Sequence, residues 1–274
     1  MIKNYLKITL RNLWRNKLYA FINIIGLTLG TTCAIVLFLY VQDEFSYDRH
    51  HQGYDRIYRI DTDLKLNQAT FFVETTPAPL ATQLRESDPA VMQTTRVKSI
   101  YHKVLKVKQQ KFYEEQMFYA EASLFQTLSF RPVAGNVPQA LKKPGSVVLA
   151  DELAKKLFRS PKQAIGKTIV LEDSVKFVVK AVVNVPKNSH FRPQVLASMQ
   201  TLVKSNLKLF TSWNGEQCIS YIKLQAGVAP EKIERHLRKI YHTHMKPKES
   251  SQEEDRLKMY LTPVSDIYLH SKSA

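Results

Sequence analysis

The chain has 274 residues, 40 Lys and Arg against 24 Asp and Glu, a formal charge of +16 and two cysteines. That length supports a self-sufficient hydrophobic core, and so few cysteines exclude a disulfide-stapled scaffold. A basic excess of this size would suit a nucleic-acid binder, but its distribution along the chain points elsewhere.

Residues 1–17 place Ile2, Tyr5, Leu6, Leu10, Leu13 and Trp14 on one helical face, and Lys3, Lys7, Arg11 and Arg15 at four-residue steps on another. Like charges at that spacing repel, so the helix needs an external counter-charge. An anionic inner leaflet supplies it, and the pattern predicts a basic amphipathic helix on the cytoplasmic membrane surface.

Leu18 to Gln42 carries no charge over 25 residues, more than the ~20 that span a bilayer. The run exceeds the ~7–15 apolar residues of a signal peptide, and Val41-Gln42-Asp43-Glu44 has no small-x-small cleavage site. A transmembrane helix over 18–42 is therefore predicted, with Asn23, Gly26, Thr28, Gly30, Thr31 and Thr32 suited to packing against other helices. Lys3, Lys7, Arg11, Arg15 and Lys17 precede it, whereas Asp43, Glu44 and Asp48 are the first charges after it. The positive-inside rule places the N-terminus in the cytoplasm and residues 43–274 outside. Residues 1–42 contribute +5 of the net charge of +16, leaving +11 outside, where nucleic acid is not a partner. Cys33 in the span and Cys218 beyond it cannot pair with each other.

Within 43–274, Arg56–Asp63 alternates as a strand, and Pro77–Arg85 reads as a helix opened by proline. Lys103–Lys108 and Phe112–Tyr119 form a hairpin around Gln109-Gln110-Lys111. Ser146–Ala150 is a strand, Asp151 caps a helix through Leu157, and Thr168–Leu171 with Lys176–Val185 flank a Glu172-Asp173-Ser174 turn. Tyr221–Leu224 is a strand, Pro230–His242 a helix and Lys258–Pro263 a last strand. Irregular alternation without repeats predicts an α+β fold with a mixed sheet.

Residues that could carry chemistry are sparse. Ile165-Gly166-Lys167-Thr168 imitates the end of a phosphate-binding loop, but Pro161 stands where that loop needs glycine, and a strand rather than a helix follows. His50-His51 and His242-x-His244, read without a cysteine or carboxylate at ligand spacing, do not form a metal site. His102 and His190 are isolated, and there is no Gly-x-Ser-x-Gly elbow. Phe71-Phe72, Tyr113, Phe118, Tyr119 and Phe125 recur at strand spacing and read as core. The expectation is a protein without catalytic, cofactor-binding or metal-binding residues, and not an enzyme.

Several segments carry a resemblance. Ile8-Thr9-Leu10-Arg11-Asn12-Leu13-Trp14-Arg15-Asn16-Lys17, Phe45-Ser46-Tyr47-Asp48-Arg49-His50-His51 and Asp55-Arg56-Ile57-Tyr58-Arg59-Ile60 are similar to the start of the FtsX-like, MacB-type permease subunits of ABC transporters, in the form common among Bacteroidota. Thr76-Pro77-Ala78-Pro79-Leu80-Ala81, Ala154-Lys155-Lys156-Leu157-Phe158, Val185-Pro186-Lys187-Asn188-Ser189-His190-Phe191 and Asp266-Ile267-Tyr268-Leu269-His270-Ser271 look like that family's extracytoplasmic core.

The resemblance implies a two-lobed mixed α/β domain on the outer face of the cytoplasmic (inner) membrane. It also implies a separate cytoplasmic ATP-binding subunit, a second permease copy, either identical or a sibling, and a periplasmic partner protein. Family members carry three more transmembrane helices after this domain, which implies that the sequence is a fragment of such a subunit. Nucleotide cycling would then do mechanical work or drive efflux on the outer side. Two readings from other classes are the outer sensor portion of a membrane-bound signalling receptor and a single-span scaffold.

Overall fold

The computed structural model describes residues 2–66, 69–101, 104–171, 174–213, 217–244 and 257–270. The chain divides into two compact units, Met1–Ser46 and Tyr47–Ala274.

In the first unit, α1 (Ile2–Arg15) and α2 (Lys17–Glu44) flank Asn16. The 28 residues of α2 extend about 42 Å at 1.5 Å per residue, longer than the ~30 Å hydrocarbon core of a bilayer. None of them is buried, and α2 is long and apolar enough to cross a membrane. Its hydroxyls are satisfied within the helix: Thr28, Thr31 and Thr32 donate to the carbonyls of Ile24, Leu27 and Thr28 at 2.7–2.8 Å. That removes the cost of placing them in lipid.

The second unit is built on one sheet. Its strands are β1 (Ile57–Leu66), β2 (Ala69–Val73), β3 (Thr75–Thr76), β4 (Val91–Ser99), β5 (Val104–Val107), β6 (Gln110–Tyr113) and β7 (Met117–Ala120). They continue with β8 (Arg131–Gly135), β9 (Ser146–Ala150), β10 (Thr168–Leu171), β11 (Val175–Asn184), β12 (Val195–Ser198), β13 (Cys218–Leu224) and β14 (Leu257–Pro263). The main order is β14-β1-β13-β4-β7-β12-β9-β11-β10-β5-β6, with β2, β3 and β8 on side branches. Pairing is antiparallel except for β9 with β11 and β7 with β12, so the sheet is mixed, as predicted.

Burial follows from strand composition. All five residues of β9, Ser-Val-Val-Leu-Ala, are buried, as a central strand covered on both faces requires. One core gathers Leu105, Met117, Leu149, Ile169 and Phe177. A second holds Leu124, Leu128, Phe130, Phe191 and Tyr221. The third lies where α3 (Ala78–Ser87) and the helix Pro230–His244 cover β1, β13 and β14: Leu80 and Leu84 face Ile233, Leu237 and Ile240. Those last three recur at helical spacing, which is why the helix docks on that face.

Two local expectations need correction. Asp151 is the first residue of the helix Asp151–Phe158 and not its cap; Ala150 caps it, and Asp151 pairs with Lys155 one turn on, at 3.1 Å. The hairpin of β5 and β6 turns at Lys108-Gln109, with Lys108 at φ +54°. Phe112–Tyr119 is not one strand, because β7 leaves the hairpin to pair with β4 and β12 in the middle of the sheet. Lys103, Glu172 and Asp173, named in the predicted turns and strands, lie outside the described residues.

Gly135 ends β8 at φ +78°, and a Cβ there would meet Lys180 O at 2.2 Å, whereas Gly166, at φ +79°, has no atom within 4 Å of such a Cβ. Gly166→Ala should cost only the left-handed backbone penalty, about 1–2 kcal/mol. Gly135→Ala adds a backbone clash at a sheet pair and should lower the thermal midpoint distinctly more. Thermal melts of the two variants followed by circular dichroism check this; equal losses would contradict it.

Candidate functional site

The site forms where two of the family-like segments meet. Asp48 has φ +58°, a left-handed conformation that Asp tolerates better than most residues. The turn points its carboxylate inward, where it is fully buried. The backbone N–H of Asp48 donates to Asn188 O at 3.0 Å. In return, Ser189 Oγ donates to Asp48 Oδ1 at 2.8 Å, and His190 N–H donates to both carboxylate oxygens at 3.1–3.2 Å. One residue of the connector, residues 47–56 leading into β1, thus holds three consecutive residues of the loop after β11.

Three histidines surround this carboxylate. His190 Nδ1 lies 2.8 Å from Asp48 Oδ2, a close contact that makes no hydrogen bond. Its Nε2 meets the hydroxyl of Tyr221 at 2.9 Å. His51 accepts the N–H of Ser129 at Nδ1, 3.1 Å, and brings Nε2 to 3.5 Å from Asp48 Oδ1. The ring of His50 lies 4.0 Å from that of His51, centroid to centroid. Both His50 nitrogens are enclosed with no hydrogen-bond partner.

From Tyr221 the network passes into the sheet. Arg59 on β1 is the register partner of Tyr221 on β13. Its Nε donates to Asp61 Oδ1 at 2.6 Å and a terminal nitrogen to Glu74 at 3.1 Å, while Thr262 on β14 donates to Asp61 Oδ2 at 2.6 Å. A buried guanidinium is tolerable only with such partners. The residues from Asp48 to Thr262 therefore tie the connector, the loop 188–190 and strands β1, β13 and β14 into one polar seam.

Protonation follows from these contacts. Burial pushes the Asp48 carboxyl up, but the close His190 and His51 rings and the hydroxyl of Ser189 outweigh it and hold it well below the usual carboxylate range. Burial lowers His190 despite Asp48 beside it, and lowers His50 to about 4. At neutral pH the Asp48 carboxylate therefore faces neutral rings at His50 and His190.

Other constellations resolve into structural roles. Ser87 Oγ lies 3.3 Å from His236 Nε2, and His236 Nδ1 lies 3.1 Å from Asp88 Oδ2, the spacing of a hydrolytic relay. Ser87, however, donates to Gln83 O at 2.7 Å. It also ends α3, where carbonyls point outward and an oxyanion would meet the wrong end of the helix dipole. His244 stacks on Trp213 and bonds Gln83, so His242-x-His244 is not a ligand pair. Gly166-Lys167 precedes β10, as the sequence predicts. An open depression of about 600 Å³ carries the mixed charges Glu114, Glu152, Lys156, Lys187 and Arg192. Cys33 and Cys218 are both free. His102 lies outside the described residues.

In the sequence His190 stands isolated, and Asp48 stands out only as one of the first charges after the uncharged run. The available signal was the polar density of Ser46-Tyr47-Asp48-Arg49-His50-His51 and Asn188-Ser189-His190, two turn-forming segments with more hydrogen-bonding groups than a solvated turn needs.

Comparisons with known proteins agree with the fold. Residues 20–240 match the model of a family described as the MacB-like periplasmic core domain. No curated protein matches the chain. A domain of a putative permease from Porphyromonas gingivalis superposes with TM-score 0.66 at 19% identity, covering 78% of this chain and 92% of its own. The periplasmic region of MacB from Actinobacillus actinomycetemcomitans gives TM-score 0.54 at 14% identity, covering 79% and 93%. The extracellular domain of the noncanonical ABC-type transporter YknZ from Gram-positive bacteria gives 0.52 at 9%, covering 74% and 98%.

The pH dependence of stability has a defined sign. His50, at about 4 when folded and 6.5 in the reference state, takes up its proton preferentially on unfolding between those values, and His190 shifts the same way. Stability is therefore full above pH ~6.5 and falls as the pH drops toward 4. Asp48, depressed, adds a further loss below the ordinary carboxylate range. Thermal midpoints at pH 7.5, 5.5 and 4.5 should decline in that order, and His50→Ala should flatten the decline. A midpoint constant from 7.5 to 4.5 would contradict the assignment.

Proposed function

Since the family model covers residues 20–240, the chain belongs to the family of the MacB-like periplasmic core domain, and on that premise we propose that it is the N-terminal part of an ABC transporter permease. Residues 1–17 lie on the cytoplasmic face, 18–42 cross the inner membrane, and 43–274 form the periplasmic domain. A separate cytoplasmic subunit hydrolyses ATP, a second permease copy completes the membrane part, and a periplasmic partner receives the output. This chain supplies no catalytic group; it transmits motion.

The observation that carries this reading is the buried staple at the start of the outer unit. A domain that hung on its helix as a passive module would need only a solvated linker. Here Asp48, the second residue of the unit, is fully buried, and Tyr47 stacks on Tyr268 with ring centroids 3.5 Å apart and planes 9° from parallel. Displacement of the connector is therefore passed to the loop 188–190 and to the helix Val264–His270 rather than absorbed.

Gly53, at φ +75°, marks where the connector can be interrupted. A Gly-Ser insertion beside it lengthens the path with coil that carries little force. In the assembled transporter, spin labels on Cys33 and on an exposed Met92→Cys should report a nucleotide-dependent distance change. The insertion should abolish that change and leave the ATPase rate intact. An unchanged distance response would make the outer domain a passive binding module or a sensor.

A further inference from the structure

The carboxylate hub leaves one feature unexplained. His51 is 1% exposed, yet its Nε2 has no hydrogen-bond partner, and neither do the enclosed nitrogens of His50. Buried polar atoms without partners are rare because each loses its hydration for nothing. Two histidine rings converge on a carboxylate: one oxygen of Asp48, one nitrogen of His50 and one of His51 all lie within 4.8 Å of one another.

From this geometry we propose that Asp48, His50 and His51 form a binding site for a divalent transition-metal cation of the zinc class.

The donor set fits such an ion. Two neutral imidazoles and a carboxylate match the borderline hardness of Zn²⁺ better than that of Mg²⁺ or Ca²⁺, which take oxygen ligands. Metal–ligand bonds of about 2.1 Å at tetrahedral angles place ligand atoms about 3.4 Å apart. Asp48 Oδ1 and His51 Nε2 are 3.5 Å apart, too long for a good hydrogen bond and close to that edge. His50 is only half-buried, so its side of the cluster is the entry path. Ser189 Oγ and the His190 N–H orient the Asp48 carboxylate from behind, as outer-shell donors do in metal sites. Water completes the coordination, since the described residues bring only these three ligand groups together.

One contact opposes the ion and sets its affinity. A metal at His51 Nε2 requires the ring proton on Nδ1, which now accepts the N–H of Ser129 at 3.1 Å. That amide must move aside when metal binds, so the site is weaker than a closed four-ligand structural site.

The test uses the chain in detergent, without added tag histidines. Titration with Co²⁺ should give the visible absorption of a tetrahedral site at one ion per chain, and Zn²⁺ in roughly tenfold excess should raise the thermal midpoint. His50→Ala, compared with its own metal-free melt, should weaken binding at least ~10-fold. The double variant His242→Ala/His244→Ala should bind as the unaltered chain does. No cobalt band and no midpoint shift, or a shift that His50→Ala retains, would overturn the proposal. His50→Ala keeps the test valid if Asp48→Asn fails to fold, because His50 makes no hydrogen bond that its removal would break.

Discussion

A carboxylate taken out of water must be answered by donors at fixed positions, or it will not stay charged. Asp48 meets that demand with the hydroxyl of Ser189 and the amide of His190, while the rings of His190 and His51 lie against it. Every one of those groups depends on another element being in place. The loop 188–190 must follow β11, Tyr221 must present its hydroxyl from β13, and Ser129 must hold the tautomer of His51. The connector is positioned by the whole domain and cannot move independently of it.

The sheet explains why such a load can be carried. β13 lies between β1 and β4, and β1 pairs with β14 on its other side. The polar seam of Arg59, Asp61 and Thr262 runs across these strands, beside the apolar core of Ile60, Leu80 and Ile233. Displacing Asp48 strains backbone hydrogen bonds that are shared by neighbours, not those of a lone turn. That shared bonding is what the proposed transmitting role would require of the domain.

Much of the fold was legible because its signals are local. The four-residue charge spacing of Lys3, Lys7, Arg11 and Arg15 identifies α1, and the uncharged run identifies α2. Ser146–Ala150, Thr168–Leu171 and Lys258–Pro263 follow from composition alone. Misreadings arose where long-range pairing decided: Glu114-Glu115-Gln116 breaks Phe112–Tyr119 because β7 is recruited by β4 and β12. The site was illegible for the same reason. Asp48 and His190 are 142 positions apart, and no periodicity links them. Each alone reads as an exposed turn residue, and only the assembled fold removes them from water.

The central claim is that the connector and the loop after β11 form one cooperative unit through Asp48. Hydrogen exchange followed by mass spectrometry on the chain in detergent, comparing the unaltered protein with Asp48→Asn, tests it directly. The substitution keeps the shape but replaces an acceptor oxygen with a donor facing the His190 amide. Amides of 48–54 and of 188–191 should lose protection together and by similar factors, while β9 and β11 remain protected. Loss confined to the connector, with 188–191 unchanged, would contradict the account and reduce Asp48 to a local turn residue.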